Sequence, residues 1–209
     1  MAKSPESRRS QPRGRVTRTR VLRAAEQLFT RQGFADTTVS EVARRASVGV
    51  GTLYHHFPDK RAILLDLIDD WGERAGADRR TDFDHARFLG DDPRGGFAGW
   101  LRSAYDRLRK QPSLYLVVLA LADRDEEVRR RYQRIERVAV ERLRDLLDFG
   151  QRRGLMRAGF DAASAAFLIH HAIDMAATQL LVREVSDPAP DRVLEELTDM
   201  IARYVLEEA

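Results

Sequence analysis

Apolar residues in this chain recur at spacings of three and four, and no stretch alternates with period two for long enough to make a strand. The clearest case is 125–152, where Val128, Tyr132, Ile135, Ala139, Leu143 and Leu146 step by four or three residues. That spacing lines one face of an α-helix and excludes a sheet. The same pattern predicts a helix through Val21, Leu22, Ala25, Leu28 and Phe29 that stops at Gly33, then helices over about 38–46, 50–56, 59–74, 96–110, 113–122, 161–184 and 191–207. Pro58 breaks the chain after the third, Gly154 punctuates the long one, and Asp161 stands where an N-cap belongs. Residues 1–14 are polar, rich in Ser and Pro, and read as a disordered basic arm. Residues 75–95 are turn-rich and make the best internal boundary. The expected fold is all-α: three N-terminal helices that include a helix-turn-helix, then a C-terminal helical part. The expected boundaries are 1–14 for the arm, 15–60 for the helix-turn-helix head, 61–74 for a connecting helix and 75–209 for the remainder.

The two short helices carry most of the functional information. Thr38 followed by Glu41 is a capping box, in which each residue satisfies the other's backbone N–H at a helix start. Val42, Ala43 and Ala46 face inward, and Ala43 is small where two helices cross. Gly49 is expected to supply a left-handed or cramped turn between the helices. Val42, Val48 and Leu53 bind the pair into one core, leaving Ser40, Val50, Gly51, Thr52, Tyr54 and His55 outward. Periodicity alone is equally satisfied by a generic helical hairpin. Charge distinguishes the two: residues 1–60 hold twelve Lys or Arg against five Asp or Glu, a net of +7 in a chain whose total is +3. A basic head on a mildly acidic body suits a polyanion; the alternative is a solubilising tail.

Residues 37–67, TTVSEVARRASVGVGTLYHHFPDKRAILLDL, resemble the DNA-binding domain of the TetR family of transcriptional regulators, and GTLYHHFPDK at 51–60 is especially typical. The resemblance covers about residues 17–70. It implies a homodimer that represses transcription from a palindromic double-stranded DNA operator until a small-molecule effector enters its C-terminal domain, which makes 15–60 the DNA-binding domain and 75–209 the ligand-binding and dimerisation domain. It also implies that Thr52, Tyr54 and Lys60 touch phosphates, that Thr38 makes another backbone contact, and that Ser40, Val50, Gly51 and His55 face base edges. Val50 and Gly51 offer no hydrogen bond. Base specificity is then expected from Ser40, His55, a thymine-methyl contact and DNA shape. Arg44 and Arg45 add backbone contacts or form a solvated face, and Arg13, Arg15, Arg18 and Arg20 are candidates for a minor groove.

In the C-terminal part, Trp100, Tyr105, Tyr115 and Phe167 are candidate walls of a mainly apolar pocket. His170, His171, Asp174 and Thr178 fall within about a 100° arc of one otherwise apolar helix. This polar stripe lines the ligand pocket, holds a metal, or forms a buried network at a dimer seam. His170 and Asp174, four apart, are only two ligands without a clear third; no metal and no cofactor are expected. The two helices over 161–184 and 191–207 carry more Leu, Ile and Ala than one short chain covers, so pairing is expected there, with Leu197 and Ile201 at the seam. His55 and His56 are adjacent and make poor co-ligands. Gly49-Val50-Gly51 opens like a nucleotide loop, yet position six is Tyr54 and no strand precedes it.

Composition removes other classes. The chain has no cysteine, which excludes disulfides, thiolate catalysis and cysteine-ligated metal centres. The longest apolar run, Leu114–Ala122, is far short of the roughly 20 residues that span a bilayer, and no apolar segment follows the basic N-terminus. No membrane association and a cytoplasmic location are expected. The competing reading is an all-α enzyme or small-molecule-binding protein with an incidental helix-turn-helix. Asp82, Asp84 and His85 are its best residues, but no Glu-x-x-His partner accompanies them; no enzyme is expected.

Overall fold

The computed structural model describes residues 5–82, 92–110, 112–182 and 187–206, and these residues form helices and their connections with no strand among them. In chain order the helices are α1 (Pro5–Gln32), α2 (Val39–Ala46), α3 (Val50–His56), α4 (Lys60–Asp82), α5 (Pro93–Lys110), α6 (Pro112–Ala122), α7 (Glu126–Arg152), α8 (Ala162–Val182) and α9 (Pro190–Val205). The all-α class read from spacing is therefore the observed one.

Two elements are longer than their sequence suggests. α1 begins at Pro5, so residues 5–14 are helical rather than an irregular arm. Pro at the first position of a helix loses no bond, and Glu6, Arg8, Arg9, Gln11 and Arg13 have good helix propensity. α4 continues to Asp82, eight residues beyond the Arg74 end that its apolar pattern suggests. Ala75, Ala77, Arg79 and Arg80 are good helix formers, and no apolar spacing runs through 75–82 in the sequence. Asp84 and His85 lie outside the described residues.

The chain divides into two compact units. One comprises Met1–Gly72 with Ser113–Arg131, the other Glu73–Pro112 with Tyr132–Ala209. In the first, Val21, Ala25, Phe29, Val42, Ala43, Leu53, Phe57, Ile63, Leu64, Leu67 and Ile68 are buried, joining α1, α2, α3 and α4 around one core. Gly33 ends the regular part of α1 with φ +88°, its N–H bonded to the Phe29 carbonyl. α6 and the start of α7 complete this unit. Asp125 caps α7, accepting from the Glu127 and Val128 amides at 3.0 and 3.2 Å. The same carboxylate takes a two-pronged bond from Arg61 at 2.6 and 2.8 Å. Arg131 reaches back to Asp69 of α4 and to Glu127.

The second unit packs α5, α8 and α9 together around Phe97, Leu101, Leu146, Leu147, Met156, Ala165, Ala166 and Ile169. Asp161 is the N-cap of α8, its Oδ1 accepting from Ser164 N at 2.7 Å. Gly154 turns the chain after α7 with φ +66°. Leu197 and Ile201, placed by sequence on a subunit seam, are instead 8% and 2% exposed, inside this unit's own core. α9 is amphipathic, and the face carrying them packs on α5 and α8. Among the described residues, no helix is long and apolar enough to cross a membrane.

Candidate functional site

The helix-turn-helix is built by reciprocal capping. Thr38 Oγ1 accepts from Glu41 N at 3.2 Å, and Glu41 Oε2 accepts from Thr38 N at 2.8 Å. These bonds, with Arg44 nearby, hold the Glu41 carboxyl below its ordinary range, the Thr38 bonds being the larger cause. At the other end of α2 the left-handed residue is Ser47, with φ 52° and ψ 50°. Gly49, expected in that role, has φ −65° and ψ 143° and is the N-cap of α3. The turn closes through Ser47 N to Arg44 O at 3.1 Å and Val48 N to Ala43 O at 3.0 Å, satisfying the last carbonyls of α2. Arg20 adds donation from Nη2 to the carbonyls of Ala46 and Ser47 at 2.5 and 2.8 Å, tying α1 to that turn.

α3 has one buried side chain, Leu53, which is fully shielded. Burying it contributes about 1.5–3 kcal/mol and fixes which way the helix faces. As a result Val50, Gly51, Thr52, Tyr54 and His55 are all exposed, Tyr54 by 51%. Ser40 and Thr38, on and before α2, are exposed as well. An exposed tyrosine and valine on a short helix held by a single apolar anchor form a surface rather than a core. Lys60 behaves differently. Its Nζ donates to the carbonyls of Phe34 and Ala35 at 2.6 and 2.9 Å and lies 4.6 Å from the Phe34 ring centre. Two of its three N–H bonds thus hold the turn between α1 and α2. Arg18 pairs with Asp66, and Arg45 donates to Gln27.

The residues expected around an effector fall in both units. Tyr115 belongs to the first, its ring 6.2 Å from that of Trp71. In the second unit Tyr105 is buried, Trp100 is half-buried against the core, and Phe167 is 52% exposed with its ring 4.2 Å from that of His171. His170, His171, Asp174 and Thr178 are half-buried on α8. α7 brings two further groups to this stripe. Ligand atoms of Glu136, His170 and His171 all lie within 4.8 Å of one another. The Tyr132 hydroxyl lies 3.5 Å from Asp174 Oδ2 and also bonds Glu136. Burial, and next the charge of Asp174, push the Glu136 carboxyl up, while His171 and Tyr132 pull it down.

Residues 21–67 match the family model described as bacterial regulatory proteins, tetR family. Over those residues the chain is similar to the tetR family. Over 79 residues it is 34% identical to the HTH-type transcriptional regulator UidR of Escherichia coli strain K12, a match covering 38% of this chain and 40% of UidR. Over 74 residues it is 36% identical to the HTH-type transcriptional regulator EthR of Mycolicibacterium smegmatis, covering 35% of this chain and 34% of EthR. The chain thus spans 40% or less of the length of these two relatives. The fold likeness extends further. The crystal structure of a putative TetR-family regulator from Mesorhizobium loti covers 93% of this chain and 99% of its own, with a TM-score of 0.77 at 18% identity.

Sequence reasoning misses Glu136, Tyr132 and Arg20 as site-building residues. Tyr132 is one of the apolar steps of α7 and is buried, yet its hydroxyl serves the polar stripe. Glu136 follows Ile135 on the inward side of α7. A carboxylate that close to an apolar seam is the signal that could have found it.

Proposed function

We propose that this chain is a ligand-responsive transcriptional repressor that binds a palindromic double-stranded operator as a homodimer. Residues 15–60 serve DNA, 61–74 connect, and 75–209 serve effector and pairing. The observation that carries the reading is the exposed face of α3, with Thr52, Tyr54 and His55 projecting from a helix fixed by capping and by Leu53. Hydroxyls of Thr52 and Tyr54 suit phosphate oxygens, and Ser40 and His55 suit base edges, whereas the Thr38 hydroxyl already donates to Glu41 Oε2 at 2.8 Å. Paired heads would meet half-sites about one DNA turn apart.

Pairing is assigned to the outer faces of α8 and α9. Phe167, Leu168 and Met175 on α8, and Met200 on α9, are each more than half exposed. Solvent-exposed apolar side chains of this size, two turns apart on one helix, suit a self-complementary twofold contact. A mainly hydrophobic effector with one or two polar groups is expected in the second unit, where Trp100 and Tyr105 offer apolar surface and the α8 stripe offers polar atoms. Effector binding changes DNA affinity only through a differential affinity for two arrangements of the heads. A difference of roughly 1–3 kcal/mol gives about 5–150-fold.

The test is binding to duplex DNA from the region upstream of the chain's own coding sequence, measured over a range of salt concentrations. Sequence-specific binding is expected, with a log–log salt slope that steepens by ~0.9 for each neutralised phosphate. Thr52→Ala and Tyr54→Phe should weaken binding similarly on all sequences, whereas Ser40→Ala or His55→Ala should alter base preference. Equal affinity for specific and scrambled duplexes would overturn the reading.

A further inference from the structure

We propose that Glu136, His170 and His171 hold a divalent transition-metal ion of the zinc class, with the carboxylate of Asp174, one turn further along α8, as a fourth donor. The first ground is geometry. The three donor atoms lie within 4.8 Å of one another, and they come from two helices, Glu136 from α7 and the histidines from α8. Bound zinc sits about 2.0–2.2 Å from nitrogen and oxygen ligands, which puts tetrahedral ligand atoms about 3.3 Å apart. Closing from the observed separations takes shifts of roughly 1 Å. The terminal torsions of His and Glu are soft enough to supply them.

The second ground is the donor set. Two imidazoles with carboxylate oxygen favour zinc, cobalt or nickel over magnesium or calcium, which take oxygen alone. The third ground is position along the helix. Asp174 is four residues after His170 and three after His171, so one helix face presents all three.

The surroundings fit a positioned ligand set. The Tyr132 hydroxyl bonds Glu136 and lies 3.5 Å from Asp174, so its one proton can orient either carboxylate. The Phe167 ring meets His171 edge-on at 4.2 Å and limits its rotation. The His55–His56 pair has similar ring spacing, 5.6 Å against 5.4 Å for His170–His171. Only the α8 pair belongs to a three-donor group among the described residues. The site does not rest on the DNA-binding reading, because an ion binds there whether or not the head engages an operator.

The experiment uses the full chain without an affinity tag, stripped by chelator, then titrated with Zn2+ by calorimetry and with Co2+ by visible absorption, in the absence of DNA. One ion per chain is expected, with cobalt d–d bands reporting nitrogen and oxygen ligands. Glu136→Gln, nearly isosteric, should weaken the ion by more than the roughly 10–100-fold that loss of an outer partner costs, and Tyr132→Phe should fall within that range. His170→Ala and His171→Ala should abolish the cobalt bands, whereas His56→Ala should leave them unchanged. Absence of saturable binding would overturn the site. So would a cobalt spectrum and affinity unaltered in a folded Glu136→Gln protein. Operator binding measured separately on the same preparations keeps this outcome distinct from failure of the repressor reading.

Discussion

Replacing Lys60 with Met separates two roles for one ammonium, tether of the turn between α1 and α2 and partner of a DNA phosphate. The family resemblance assigns it to a phosphate, yet Nζ already donates to the Phe34 and Ala35 carbonyls at 2.6 and 2.9 Å. It also lies over the Phe34 ring, which in turn packs edge-on to Phe29 at 5.1 Å. A hydrogen bond from a charged donor contributes about 1.5–3 kcal/mol. The bond to Phe34 is part-buried and the bond to Ala35 is exposed, so the second sits at or below the low end of that range. The cation–ring contact adds about 0.5–1 kcal/mol, and ordering the long side chain costs roughly 1.5–2 kcal/mol. The net is about 2 kcal/mol, and Met keeps most of the apolar stem. For a chain of this size the variant should melt roughly 4–8 °C below wild type, read by circular dichroism. The third N–H remains for a phosphate, so the salt slope of DNA binding should also fall by ~0.9 per head. Tyr54→Phe is the control: its side chain is half exposed, so DNA affinity should drop with no change in melting. Wild-type melting in Lys60→Met would refute the tethering argument. Lower melting with unchanged affinity and slope, measured where both proteins are folded, would leave Lys60 purely structural.

Other outcomes follow from the same contacts. Asp125→Asn keeps a competent N-cap but loses the charge that pairs with Arg61. Because Arg61 holds the Asp125 carboxyl down at about 2 against an ordinary 3.8, its stabilisation is fully present above pH 3.8 and is lost as pH falls through 2. The variant should therefore be less stable by about 1 kcal/mol near neutrality, after allowing for solvent screening, and the gap should close between about pH 4 and pH 2. Ser47→Gly relieves a left-handed L-residue at the expense of a more flexible unfolded chain, and denaturant titration should show a gain of about 0.5 kcal/mol. Met200→Arg, at a side chain 55% exposed, should give folded monomers by sedimentation. Leu197→Arg, at a side chain 8% exposed, should unfold the second unit instead. Wild type that sediments as a monomer at micromolar concentration would sink the pairing assignment.

Much of the helix count and the head is legible in the sequence because those signals are local. The capping box lies within four residues, Gly33 and Gly154 mark helix ends, and the apolar steps of α7 repeat along most of its length. Sequence and structure part where two local signals compete or where a signal is missing. Ser47 rather than Gly49 takes the left-handed turn because the last carbonyls of α2 demand it at that position, and Arg20, 27 residues earlier in the chain, helps to hold it there. Residues 5–14 combine turn-formers with helix-formers, and composition alone cannot rank them. α4 extends past its apolar stretch, where helix propensity acts without an apolar spacing to mark it.

The polar stripe on α8 illustrates the harder limit. Periodicity places His170, His171 and Asp174 on one arc, but it says nothing of what faces them. That depends on the rotation of α7 about its own axis, which is set by how Leu143, Leu146 and Leu147 enter the core of the second unit. With those leucines inward, Tyr132 and Glu136 come to the stripe, being about three and two turns before Leu143 on the same helix. A two-residue motif thus becomes a three-donor group through packing that neither helix specifies alone. Any substitution that rotates α7, such as Leu146→Ala with its expected cost of about 2–5 kcal/mol, should therefore disturb cobalt coordination even though it removes no ligand. If Leu146→Ala were destabilised to that degree yet kept the wild-type cobalt spectrum, the geometry of the cluster would owe nothing to the leucine face, and the rotation of α7 would not be what assembles it.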